Sequence, residues 1–154
     1  MYRKILVAND GSPGAVHALT TALTVAKRDG AALHMVTVEE LPWFPASIDE
    51  VDEEKTEANH RLPPLIEAAR AQAQAAGVVL ETHLLPGHPV QTIVSLVNEH
   101  HFDLLVVGFM GHTRLYEQII GSTSERLVRL APCTILVGQV SGDVIAWTWP
   151  VDLA

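Results

Sequence analysis

The chain has 154 residues, of which 48% are hydrophobic and 18% charged, and its formal net charge is −8 at pH 7. The length fits one domain with a sizeable core, and the composition excludes a disordered chain. Because binding nucleic-acid phosphates requires clustered Lys and Arg, we expect no nucleic-acid partner. The apolar runs are too short to span a membrane, and the single cysteine, Cys133, fits a reducing compartment, so we expect a cytoplasmic protein that does not bind membranes.

Five apolar runs of strand length alternate with segments of helical periodicity. The runs are Lys4–Ala8, Ala32–Val38, Val79–Leu85, Leu104–Val107 and Thr134–Val137. A helix is predicted between the first two runs, with Pro13 near its start and Gly30 at its end, and another begins at Pro89. This alternation predicts right-handed βαβ units. The expected fold class is therefore α/β, a three-layer, doubly wound, five-stranded parallel sheet with helices on both faces.

The region between residues 39 and 76 is less regular. The segment Leu41–Pro45 contains two prolines and cannot form a regular element, and Pro63 and Pro64 are expected to interrupt any single long helix. We predict a helix from Leu65 to Ala76. The stretch Val51–Leu62 could then form a separate helix that leads into the proline pair.

Two loops of this predicted sheet are candidates for one ligand-binding crevice, because ligands of open parallel sheets bind beyond the carboxyl ends of the strands. The first loop is Asn9–Ser12, and the second is Gly108–Thr123. The second loop contains several glycines, which let a backbone approach a ligand closely, and it runs into a helical pattern whose free N–H groups would bind anions. The layout predicts a phosphate site, although the same glycines could only shape a strand-to-helix connection.

Gly108, Gly111, Gly121 and Ser122 form the pattern Gly-x2-Gly-x9-Gly-Ser. This pattern resembles the ATP-binding signature of the universal stress protein family. Three further segments are similar to that family. Ile5–Ser12 resembles its opening strand and loop, Ala32–Val36 its second strand and Leu130–Val137 its closing segment. The resemblance implies an adenine nucleotide alpha hydrolase-like fold, with a universal stress protein domain over residues 1–140. It also implies a homodimer that pairs through the last strand. The tail, residues 141–154, would pack on the dimer partner or cover the chain's own edge strand.

The same resemblance implies a set of nucleotide-binding residues. These are Ala8, Asp10, Met35, Gly108, Gly111, His112, Thr113, Arg114, Gly121, Ser122 and Thr123. Asp10 would lie near the nucleoside with Ala8 beside it, and Met35 would present its backbone to the adenine edge. The glycines and the hydroxyl residues would hold phosphate and ribose oxygens, and Arg114 is the candidate phosphate cation.

One departure from the family pattern is the pair Phe109 and Met110, where nucleotide-binding members usually carry small or polar residues. These side chains could point outward, fill the crevice or form a surface for a protein partner. We expect ATP, alone or with Mg²⁺, or a related adenine nucleotide, as a regulatory ligand in a stress response. The alternative is a protein-interaction dimer of the same fold that binds no nucleotide.

Catalytic and metal-binding patterns are weak in this sequence. Ser12 lacks a nucleophile elbow and is better explained as the cap of the first helix, while Asp10 is a single carboxylate without an acidic cluster for Mg²⁺. We therefore expect slow ATP hydrolysis at most. The eight histidines show no metal-ligating spacing, so we expect unrelated packing and surface residues and no metal site. Cys133 is expected to be a small buried residue rather than a nucleophile.

Overall fold

A computed structural model of the protein describes residues 1–41, 48–108 and 122–138. The elements in chain order are β1 (Lys4–Ala8), α1 (Pro13–Asp29), β2 (Ala32–Glu40), α2 (Ile48–Ala76), β3 (Leu80–Gly87), α3 (Pro89–His100), β4 (Leu104–Gly108), α4 (Ser122–Leu130) and β5 (Thr134–Gly138). All five predicted strands are present, with β2 extended by two residues beyond the predicted end. Of the helices within these ranges, none is both long and apolar enough to cross a membrane.

The strands form one parallel sheet in the order β3-β2-β1-β4-β5, which confirms the predicted α/β class and five-stranded parallel sheet. In the middle of the sheet, Val7 of β1 is opposite Met35 on one side and Val106 on the other. The chain builds outward from β1 through β2 to β3, and then crosses to β4 and β5 on the other side. The strand order therefore reverses between β1 and β4, and a crevice is expected beyond their carboxyl ends.

The sheet separates two hydrophobic clusters, because successive side chains of a strand point to opposite faces. Ile5 and Val7 of β1 pack with α1 and α2, whereas Leu6 between them packs with α3 and α4. All three side chains are fully buried. Small residues of α1, among them Ala18 and Ala22, let that helix lie close to the sheet. The three-layer arrangement holds β1 rigidly in the centre, where its carboxyl end forms part of the crevice.

Helix α1 begins and ends where the sequence predicts. Ser12 is its N-cap, and the Ser12 hydroxyl accepts a hydrogen bond of 3.2 Å from the Ala15 N–H, with Pro13 in the first turn. At the other end Gly30 adopts φ 64°, and its N–H donates to the Ala26 carbonyl. The interpretation of Ser12 as a helix cap is confirmed.

Helix α2 contradicts the expected break at the proline pair. It runs without interruption from Ile48 to Ala76, with Pro63 and Pro64 inside it. Because proline has no backbone N–H, the carbonyls of Asn59 and His60 lose their intrahelical hydrogen bonds. Both residues are exposed, so water can donate to these carbonyls instead. Buried residues hold α2 on both sides of the prolines, Leu62 before them and Ala69 and Ala73 after them, and the two alanines pack in the cluster with α1. Packing therefore outweighs the local cost of the prolines.

Several predictions fall on residues outside the described ranges. They concern the irregular segment around residues 42–45, Phe109 and Met110, the domain boundary at residue 140 and the tail 141–154. These stay predictions.

Candidate functional site

A crevice of about 230 Å³ opens beyond the carboxyl ends of β1 and β4. Four of the predicted site residues lie in its wall, namely Ala8, Asp10, Gly108 and Thr123. They come from the end of β1, the loop that follows it, the end of β4 and the first turn of α4. The crevice thus lies at the reversal of strand order, where the sheet topology places it.

The loop after β1 is held in shape by its own side chains. The Asn9 carboxamide oxygen accepts a 3.0 Å hydrogen bond from the Gly11 N–H, and a carboxylate oxygen of Asp10 accepts one of 2.9 Å from the Ser12 N–H. Such turns are typical of Asn and Asp. Asp10 is exposed and Ser12 caps α1, so the loop presents a fixed carboxylate at the mouth of the crevice.

Asn9 also links β1 to β2 beneath this loop. Its backbone N–H donates to the Val36 carbonyl at 3.0 Å, and its buried side-chain nitrogen lies 3.5 Å from the Met35 sulfur. The Met35 side chain is fully buried in the cluster on the α1 and α2 side of the sheet. Val36 and Val38 of β2, which pack in the cluster on the other face of the sheet, line the crevice instead. The predicted contact of the Met35 backbone with adenine stays a prediction.

Gly108 is explained by packing. A Cβ atom built on Gly108 would lie 2.5 Å from both the Ala15 nitrogen and the Gly14 carbonyl oxygen, in the first turn of α1. Real Cβ atoms do not approach backbone so closely, so only glycine fits here. Close packing of β4 against α1 therefore accounts for this glycine without a ligand.

The start of α4 is anchored to the end of β4. The helix begins at Ser122, two residues before Ser124, where the helical pattern of the sequence begins. Ser124 is buried, and its hydroxyl donates a 3.0 Å hydrogen bond to the Gly108 carbonyl. The N–H groups in the first turn of a helix have no partner within the helix and attract anions. Ser124 therefore positions an anion-attracting helix end beside the crevice. The sequence alone does not show that Ser124, and not the neighbouring Ser122 or Thr123, makes this contact.

Arg61 of α2 is a crevice residue that the sequence analysis missed. Its side chain is exposed and lines the crevice, and one guanidinium nitrogen donates to the Asp10 carbonyl oxygen at 3.3 Å. It brings positive charge to a wall that also contains the carboxyl groups of Asp10 and Glu40. No local motif marks Arg61, and only the unbroken course of α2 brings it to a loop 51 residues earlier in the chain.

Two side chains considered as nucleophiles are not activated. The Ser12 hydroxyl is engaged as the α1 cap. Cys133 is half-buried outside the crevice, and burial raises the pKa of its thiol to about 11, so the thiol stays protonated at neutral pH. The interpretation of Cys133 as a packing residue agrees with this environment.

Comparison with known proteins identifies the family. The sequence model of the universal stress protein family matches residues 1–138, which is most of the chain. The chain belongs to the universal stress protein family. A universal stress protein of Methanocaldococcus jannaschii is 32% identical to it over 146 residues, which cover 89% of this chain and 82% of the relative. The resemblance inferred from the glycine pattern is thereby confirmed.

Solved universal stress proteins share the fold. UspA from Lactobacillus plantarum has a TM-score of 0.77 at 28% identity, with 88% of this chain and 97% of that chain covered. A universal stress protein solved in complex with cAMP has a TM-score of 0.63 at 28% identity, with 88% and 95% covered. The adenine nucleotide alpha hydrolase-like fold that the resemblance implied is therefore confirmed.

The site residues implied by the family resemblance fall into three groups. Ala8, Asp10, Gly108 and Thr123 lie together at the crevice, while Ser122 begins α4 beside it and Met35 points into the core. The remaining members of the set lie outside the described residues. They are Gly111, His112, Thr113, Arg114 and Gly121.

Proposed function

We propose that this universal stress protein binds ATP or a related adenine nucleotide as a regulatory ligand in the crevice between β1 and β4. The observation that carries the proposal is the pairing of the fixed Asp10 loop with the anchored N-terminus of α4 across one crevice. A family member of the same fold, solved with cAMP, supports an adenine nucleotide as the ligand.

The nucleoside would occupy the part of the crevice between Asp10 and β2. Val36 and Val38 supply apolar wall for the base, and the Asp10 carboxylate can accept hydrogen bonds from ribose hydroxyls. The described walls enclose about 230 Å³, which is below the roughly 300–1,000 Å³ of typical ligand pockets. We therefore expect the phosphates to extend out of this part, past the N-terminus of α4.

Phosphate binding must be local because the whole chain carries a net charge of −8. Two features supply local attraction, the N–H groups in the first turn of α4 and the guanidinium of Arg61. We propose that Gly111, His112, Thr113, Arg114 and Gly121 complete the phosphate site. Mg²⁺, if present, would be bound by the phosphates of ATP, since oxygen atoms of phosphates are its preferred ligands.

The proposed role of the nucleotide is to order the loop that follows β4 and so change a surface that a protein partner recognises. Hydrolysis is expected to be slow at most, because the Ser12 hydroxyl is engaged as the cap of α1 and no nucleophile elbow surrounds it. We further propose a cytoplasmic homodimer. The last strand, β5, lies at an edge of the sheet, and pairing with a second copy would satisfy its outer backbone groups. The tail 141–154 would pack on that partner.

Calorimetric titration with Mg-ATP, AMP and cAMP tests the proposal and its geometry. Arg61→Gln should weaken ATP binding about tenfold, which corresponds to about 1.5 kcal/mol. This is the lower end of the range for a hydrogen bond to a charged group, and we choose it because the Arg61 side chain is exposed. Arg70→Gln is the matched control, since Arg70 lies exposed on the same helix and pairs with Glu67 and Thr82 instead. Equal losses in both variants would mean that Arg61 acts only through net charge.

A further inference from the structure

Three side chains of the types that can bind a metal ion meet on β2 and β3, and none of them lines the crevice. His34 lies near the start of β2, and Glu81 and His83 lie near the start of β3. In the sheet register His34 is opposite Glu81, and Val36 is opposite His83. Because alternate residues of a strand share a face, all three side chains lie on the face that packs against α3.

The ligand atoms of these residues are close together. The Nδ1 of His34 lies 2.9 Å from the Nε2 of His83, and the Nε2 of His34 lies 3.5 Å from a Glu81 carboxylate oxygen. One ligand atom from each of the three residues can be chosen so that all lie within 4.8 Å of one another. The expectation that the histidines are unrelated is wrong for this pair.

The surroundings hold the histidine pair in place and leave one side open. The Phe102 ring packs edge-on against His34 with 5.0 Å between ring centroids, and His100 lies 5.7 Å from the His83 ring. His34 is buried, whereas the Glu81 side chain is 64% exposed. An ion could therefore enter from the solvent side, and the Glu81 side chain has room to turn toward it.

We propose that His34, Glu81 and His83 bind a divalent transition-metal ion of the zinc type, each through one atom. Imidazole nitrogen and carboxylate oxygen are preferred zinc ligands, and three protein ligands leave a fourth position for water. Two nitrogens bound to one tetrahedral zinc ion are about 3.3 Å apart, as bond lengths of about 2.0–2.1 Å require. The present separation of 2.9 Å is close to this value, but the two nitrogens face each other in a hydrogen bond, so both rings must turn before their lone pairs point at one ion. Glu81, which now contacts the other nitrogen of His34, must turn toward the ion as well.

The protonation state of the rings is compatible with metal binding. Burial lowers the pKa of both His34 and His83, against a smaller opposing effect of the Glu81 charge. Both imidazoles are then neutral at neutral pH, which is the form that binds a metal ion. Among the described residues, Lys4 is the only cation that contacts the surrounding rings, and it lies over the ring of Phe102. Its ammonium donates a hydrogen bond to the His100 carbonyl.

The test is a titration of untagged, nucleotide-free protein with Zn²⁺, because both a polyhistidine tag and ATP would bind the ion themselves. We expect one saturable site per chain, and tetrahedral Co²⁺ absorption when Co²⁺ replaces Zn²⁺. His83→Gln removes a ligand, so the Zn²⁺ affinity should fall by at least the roughly 10–100-fold that loss of an outer-shell partner costs. His60→Gln, at an exposed position on α2, is the matched control and should leave it unchanged.

Glu81→Gln provides a second variant that should keep its fold, since this side chain is on the solvent side. It should weaken Zn²⁺ binding at least tenfold. Wild-type protein without a saturable Zn²⁺ site, or with a site unaffected by both His83→Gln and Glu81→Gln, would overturn the proposal and leave a hydrogen-bonded histidine pair. The nucleotide titration is independent of this result, because none of the three residues lines the crevice.

Discussion

Replacing Gly108 with alanine should lower the free energy of unfolding by at least about 3 kcal/mol, the upper end of the usual range for overpacking. The added Cβ would overlap the backbone of Gly14 and Ala15, which cannot turn aside as the end of a flexible side chain can. Relief would require α1 to move from β4, and with it the Ser12 cap and the Asp10 loop. Urea unfolding followed by circular dichroism measures the loss.

Gly138→Ala is the matched control for this prediction. Gly138 is opposite Gly108 in the sheet register, but a Cβ there would meet its nearest neighbour, the His17 ring, at 3.3 Å. That ring can shift by a few tenths of an ångström, so we expect a change below about 1 kcal/mol. If Gly108→Ala were as stable as Gly138→Ala, the close approach of α1 to β4 would be incorrect.

Replacing Gly121 with aspartate should abolish nucleotide binding, with at least a hundredfold loss of affinity, while the fold survives. Gly121 directly precedes Ser122, where α4 begins, and aspartate is a favoured residue before a helix. The added carboxylate would compete for the N–H groups of the first turn and would repel phosphate. Calorimetric titration with Mg-ATP measures the loss, and thermal unfolding checks the fold.

Gly121→Asn separates the effect of charge from that of shape. Asparagine has nearly the size and capping preference of aspartate but no charge, so it should retain markedly more affinity than the aspartate variant. Nucleotide affinity that survived Gly121→Asp would place the phosphates elsewhere than at the start of α4. Equal losses in both variants would indicate a steric effect instead of an electrostatic one.

The sheet and α1 were predictable because their determinants are local. Strand-length apolar runs, the Ser12–Pro13 start and the Gly30 stop each specify structure within a few residues. The course of α2 was not predictable in this way. Its two prolines argue for a break, and the burial of Leu62 and Ala69 on either side of them, which favours a continuous helix, is not visible along the chain.

The site was predictable to a similar extent. The Asp10 loop and the start of α4 follow from strand ends and glycine spacing, which are visible along the chain. Arg61 reaches the crevice only because α2 is continuous, and His34 meets His83 only through the register of β2 and β3. These contacts join residues 51 and 49 positions apart, so no local pattern indicates them.

The most direct test of nucleotide binding is mass spectrometry of the small molecules released when the purified protein is denatured. We predict recovery of ATP or another adenine nucleotide at close to one per chain, which would also identify the ligand. Protein that releases no nucleotide and gives no heat with Mg-ATP would contradict the proposed function. The same crevice would then belong to a protein-interaction dimer of this family that uses its fold without a nucleotide.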